Sequence, residues 1–227
     1  LALLDASPPV VHLTPSPVVF TAGADRPYGS VVVGVEEANA VAEWSLSATQ
    51  DGSSIAVLYE GADMPESLGA ANLAELQPGH AYEITLRVVD EAGSDAVGSA
   101  RFTALDMRAH TAWVEVDIVY VDVPSTYFDA ASADLSREGR DLAASAAGDA
   151  AVYIAVAGDG ASLTVDRVAA LRAALIAEGM PPAHVAVAAA PVGDQAPGSG
   201  LRLTISSRAA ATGDAAEPRH SEPTDRT

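Results

Sequence analysis

The residues able to do chemistry in this chain are few, and their spacing suits turns and surface stripes better than a reacting group. Five histidines, His12, His80, His110, His184 and His220, are scattered without an i,i+4 pair or an adjacent carboxylate ladder. They therefore lack the spacing by which a helix presents metal ligands. Cysteine is absent, which removes disulfides and thiolate sites. Gly158-Asp159-Gly160 joins an apolar run to a helical pattern. Such a turn can aim backbone N–H groups at an anion, but it lacks the further glycine or lysine of phosphate-binding loops and reads as a plain tight turn. Asp51-Gly52 and Asp90-Glu91-Ala92-Gly93 offer carboxylates and carbonyls to Ca²⁺, at positions where hairpins are also expected to turn. Glu115 and Asp117 would stand about 7 Å apart on one face of an expected strand. That spacing serves either paired acid–base carboxylates or an exposed acidic stripe. No Gly-x-Ser-x-Gly elbow occurs, so a serine nucleophile has no support. The expectation is a protein without catalysis, metal or cofactor.

The elements that must position these residues divide the chain. Residues 1–19 form a Pro-rich entry segment, with Pro8, Pro9, Pro15 and Pro17. Proline withholds its N–H, so an extended entry or an edge strand is expected there. Leu1–Ala6 is compatible with the remnant of an export signal or with a linker. From 20 to 107 short apolar runs alternate with turn clusters, the pattern of an all-β sandwich of about seven strands. Tyr82, Ile84, Leu86 and Val88 share one face of a strand that follows the turn Pro78-Gly79. From 108 to 208 strands alternate with helices. Ala112–Val123 reads as one long strand, with Val114, Val116, Ile118 and Tyr120 on one face. Asp134 or Ser136 caps a first helix, in which Leu135, Leu142 and Ala146 share a face before Gly148-Asp149 ends it. Val152–Val156 is an apolar strand, 161–178 a second helix closed by Gly179, and 184–190 and 201–207 are further strands. This order implies an α/β or α+β layer with helices packed on a sheet. Residues 209–227 lack apolar periodicity and read as a disordered tail.

Charge narrows the partners. The chain has 12 basic and 31 acidic residues, a formal net charge of −19, and every basic residue is Arg. An acidic surface repels phosphate backbones, so nucleic acid is excluded as a partner. No stretch reaches the roughly 18–20 apolar residues that span a bilayer.

Two resemblances follow from these motifs. Leu76-Gln77-Pro78-Gly79-His80-Ala81-Tyr82, with Trp44 in an earlier strand, resembles the corresponding strands of Ig-like and fibronectin type III-like domains. The resemblance implies a buried Trp44 and a Tyr82 hydroxyl that reaches back to the preceding loop. Tyr127-Phe128-Asp129, Ser132 and Leu135-Ser136, with Leu163-Thr164-Val165-Asp166-Arg167 and Gly179-Met180-Pro181-Pro182, resemble the OmpA-like (MotB-like) domain of bacterial envelope proteins. That family implies a β-α-β-α-β sandwich that binds peptidoglycan. It places Arg167 where the family's arginine grips the carboxylate of the peptide stem, with Thr164, Gly158 and Asp159 beside it. A guanidinium suits that task because it can hold a carboxylate bidentately. The chain departs from the family between strand and helix. The Gly-His-Thr-Asp turn and its longer loop ending in Asn are replaced by Gly158–Ser162.

The resulting expectation is a non-enzymatic envelope protein, periplasmic and associated with the outer membrane. It would scaffold, or attach to the cell wall through a divergent OmpA-like domain, with peptidoglycan and envelope proteins as partners. The alternative is an adhesin, or a carbohydrate- or protein-binding module, that acts through the β-sandwich.

Overall fold

A computed structural model describes residues 7–36, 39–61, 64–69, 76–115, 118–148, 151–156, 162–189 and 201–206. The described chain is mostly β-sheet with two α-helices. Its first part is a β-sandwich. One sheet has three strands in the order β1 (Val10–Pro15), β3 (Ser30–Glu36), β6 (Ser67–Gly69). The other has five, in the order β2 (Val18–Thr21), β8 (Asp95–Met107), β7 (Ala81–Asp90), β4 (Val41–Gln50), β5 (Ser53–Gly61). The Pro-rich stretch supplies β1, an edge strand antiparallel to β3, and β2, which runs parallel to β8.

Period-two patterning decides which side chains enter this sandwich. In β7, Tyr82, Ile84, Leu86 and Val88 are buried, as their alternation predicts. They meet Trp44 and Leu46 of β4 and Val31 and Val33 of β3 in one apolar core. The Tyr82 hydroxyl accepts the backbone N–H of Gln77 at 2.7 Å and its ring stacks on Phe102. The tyrosine thus ties the turn before β7 to the strand itself.

The second part has a five-stranded sheet in the order β12 (Val185–Ala189), β11 (Ala151–Val156), β13 (Leu201–Ser206), β10 (Ile118–Val123), β9 (Ala112–Glu115). Only β11 and β12 are parallel. Helices α1 (Arg137–Ala146) and α2 (Ser162–Ala177) contribute to one core with the sheet. There Leu142, Leu171 and Leu175 meet Val119, Val121, Leu203 and Ile205. Ser136 is the N-cap of α1, its hydroxyl accepting the Gly139 N–H at 3.3 Å. Gly179, at φ +101°, closes α2. Its N–H reaches the Ile176 carbonyl and that of Met180 the Leu175 carbonyl, both at 3.1 Å, the paired bonds of a glycine C-terminal cap. The tail at 209–227 lies outside the described residues.

One expectation fails. Ala112–Val123 is not a single strand but the hairpin β9–β10, in which Tyr120 pairs with Trp113 and Ile118 with Glu115. The core face is Val119, Val121 and Val123, all fully buried, and Ile118 and Tyr120 point the other way. The run looked continuous because both arms are apolar and no Gly or Asn marks the turn. The fold is decided across strands: Trp113 stacks on Tyr120 at 5.5 Å, while β10 also pairs along its whole length with β13.

The two parts share a corner. In β2 all four residues are buried. Val18 and Phe20 enter the sandwich core, whereas Val19 enters the core of the second part. The end of β8 divides in the same way, with Phe102 and Ala104 on the sandwich side and Leu105 and Met107 on the other. This sheet corner has a core on each face. Its burial on both sides explains a continuous apolar run in place of alternation.

Candidate functional site

Arg167 lies on α2, and its surroundings are built by the segment that connects β10 to α1. After Pro124 the chain makes a 3₁₀ turn at Ser125–Tyr127, and Phe128 then forms a bridge with Leu135. The intervening loop is pinned internally. Asp129 N–H donates to the Asp134 carbonyl at 2.8 Å, and Ser132 N–H to the Asp129 carbonyl at 3.0 Å. The Ser132 hydroxyl donates to the Asp134 carboxylate at 2.8 Å and accepts the Asp134 N–H at 3.0 Å. Ala131 occupies the left-handed region at φ +54°, a conformation uncommon for a residue with a Cβ.

This loop presents the Ser132 carbonyl to Arg167, whose Nε donates to it at 3.0 Å. The guanidinium lies over the buried Phe128 ring, 4.8 Å from its centroid, in cation–π geometry. Two stretches 35 residues apart, Phe128–Ser132 and α2, are therefore joined through one side chain. A guanidinium stays charged at every physiological pH. It can bind and orient an anion, but it does not serve as an acid or base. Of the other expected site residues, Thr164 is buried one helical turn before Arg167. Gly158 and Asp159 lie outside the described residues.

Phe128 was part of the sequence motif, but its role as the seat of Arg167 was not legible. A second cluster was missed altogether. Arg202 pairs with Asp122 at 3.1 Å, their side chains only 15% and 11% exposed, and it lies 4.7 Å over Trp113 and 6.0 Å from Tyr120. It occupies the sheet face opposite Val121 and Leu203, and it exists only because the hairpin register brings Trp113 beside Tyr120.

The remaining candidates have structural work. The Asp51 carboxylate joins the β4–β5 hairpin to the start of β7, meeting His80 Nδ1 at 2.7 Å and accepting the Ala81 N–H at 3.2 Å. Its pKa is lowered, first by the hydrogen bond from His80. A lowered folded pKa means stability that is present at neutral pH and lost as the pH falls through the folded value. Asp51→Asn should therefore unfold with less acid sensitivity than wild type below the usual carboxylate range, measured by circular dichroism. Asp90 accepts Ser94 N–H at 2.7 Å within the β7–β8 turn and Asn39 Nδ2, from the segment before β4, at 3.0 Å, so both its oxygens are engaged. Glu115 accepts the Trp113 indole N–H at 3.1 Å, and Asp117 lies outside the described residues. The single strand that would have paired the two carboxylates does not exist. Among the described residues no group of three His, Asp or Glu side chains is placed to hold a metal ion. A groove of about 190 Å³ where β1 passes to β2, lined by Leu13, Pro15, Pro17 and Phe102, is smaller than the roughly 300–1,000 Å³ of small-molecule pockets.

No protein-family model matches the chain, and no curated protein matches it.

Proposed function

We propose that this protein is a non-catalytic attachment or scaffolding component of the bacterial cell envelope. Its second part acts as an OmpA-like domain, and its first is an Ig-like or fibronectin-like spacer. The observation that carries this reading is the seat of Arg167, bonded to the Ser132 carbonyl and stacked on Phe128. The two motif stretches that suggest the family meet at this side chain. The strand order, with β13 between β10 and β11 and with β12 parallel to β11, is compatible with that domain. The ligand is the free carboxylate of a peptidoglycan stem peptide, which Arg167 receives as an ion pair with hydrogen bonds. No helix of the described residues is long and apolar enough to cross a membrane.

Retention on purified peptidoglycan tests the reading. A charge-assisted hydrogen bond contributes about 1.5–3 kcal/mol, so Arg167→Ala should weaken retention by roughly ten- to a hundredfold. Arg167→Lys should recover part of it. Equal retention of wild type and Arg167→Ala would remove the cell wall as the ligand.

A further inference from the structure

The connection between the two parts contains a buried titratable group that the proposed binding function does not use. His110 lies three residues beyond the end of β8 and is only 7% exposed. Its backbone N–H bonds the Met107 carbonyl at 3.0 Å. Its Nδ1 meets the Tyr127 hydroxyl at 3.0 Å, and the two rings pack edge to face at 5.8 Å. Tyr127 is itself a structural post, because its carbonyl accepts the Ser136 N–H that opens α1. One contact thus ties the inter-part connection to the segment that carries Phe128 and the seat of Arg167.

We propose that His110 is a proton-operated latch: its neutral ring holds the connection against Tyr127, and protonation releases it. The neutral imidazole fits a site with little water. An imidazolium there would lose most of its hydration. The charged groups around it offset this only in part. Asp106 and Asp141 attract a proton to the ring, but Asp106 already pairs with Arg108 at 2.6 Å and Asp141 lies 3.7 Å from Arg137. Glu138, on the same helix, faces Tyr127. Burial is the largest influence and pushes the His110 pKa down. The released state then holds the proton more tightly than the latched one, so latch stability is full above about pH 6.5 and is lost as the pH falls below it. Release would uncover the corner residues Leu105 and Met107.

The test is a pH titration of the full chain between pH 7.5 and 5. In NMR, the His110 ring resonance should titrate below the ordinary imidazole value of about 6.5, and amide exchange should rise at 105–112 and 125–139 before it rises in β4 and β7. The melting temperature should fall by a few degrees across this window, and His110→Gln should flatten the fall. The proposal is overturned if the His110 resonance titrates at or above the ordinary imidazole value of about 6.5, or if exchange rises uniformly along the chain. If His110→Gln does not fold, the wild-type titration and its exchange map still decide between these outcomes.

Discussion

Leu105→Ala should destabilise both parts of the chain together, by about 2–5 kcal/mol. Leu105 is 2% exposed and sits near the end of β8, a strand of the sandwich sheet, yet its side chain packs in the core of the second part with Val119, Leu142 and Met107. Its neighbour Ala104 faces the sandwich core. A cavity behind Leu105 therefore loosens the plane that both cores use. The loss is large against a total stability of roughly 5–15 kcal/mol. The two tryptophans make the coupling measurable, since Trp44 lies in the sandwich and Trp113 in the second part. In Trp44→Phe and Trp113→Phe backgrounds, fluorescence of the remaining indole should give coincident urea midpoints, and Leu105→Ala should shift both by the same amount. Two separate midpoints, with only Trp113 responding, would show that the corner does not couple the parts.

The second large effect is a reversal of sign. Gly→Ala within a helix ordinarily stabilises by about 1 kcal/mol, but Gly139→Ala in the first turn of α1 should destabilise by about 1–3 kcal/mol. A Cβ at Gly139 would collide with the backbone carbonyl of Tyr127 and press on the Leu135 side chain. A flexible side chain can rotate away. This carbonyl cannot, because it also accepts the Ser136 N–H. Relief requires α1 to lift from the Tyr127–Phe128 segment, which removes the seat of Arg167 as well. Urea denaturation should show the loss, and peptidoglycan retention should fall with it. Ala144→Gly, at an exposed site of the same helix, should cost about 1 kcal/mol and leave retention unchanged. If Gly139→Ala were stabilising, the close approach of α1 to Tyr127 would be wrong.

These two effects also mark where sequence reading stops. The inward face of β7, the Tyr82 hydrogen bond and the Gly179 helix end were legible in the chain, and the α1 cap was narrowed to Asp134 or Ser136. Each depends on residues within a few positions of one another, so side-chain alternation, cap chemistry and left-handed glycine suffice to find it. The hairpin β9–β10 was not legible. Its turn carries no glycine or asparagine, and its register is set by Trp113 against Tyr120 and by pairing with β13, about eighty residues downstream. The corner of β2 and β8 was equally hidden. Val18-Val19-Phe20 looks like an ordinary apolar run, and nothing local reveals that alternate residues serve different cores.

The candidate site divides along the same line. Composition alone removed thiol chemistry and left Arg as the only strong cation, and the resemblance to the OmpA-like family singled out Arg167. What Arg167 touches was a tertiary decision. A guanidinium on one helix acquires a defined position only when a loop 35 residues earlier turns its Ser132 carbonyl outward and lays Phe128 beneath it. The burial of His110 was likewise decided in three dimensions, by the packing of Tyr127 and α1 over a connection that is polar and unremarkable as sequence. Local order follows from the covalent chain and its short-range hydrogen bonds. Binding seats and joints arise from contacts between distant segments, whose geometry no short stretch contains.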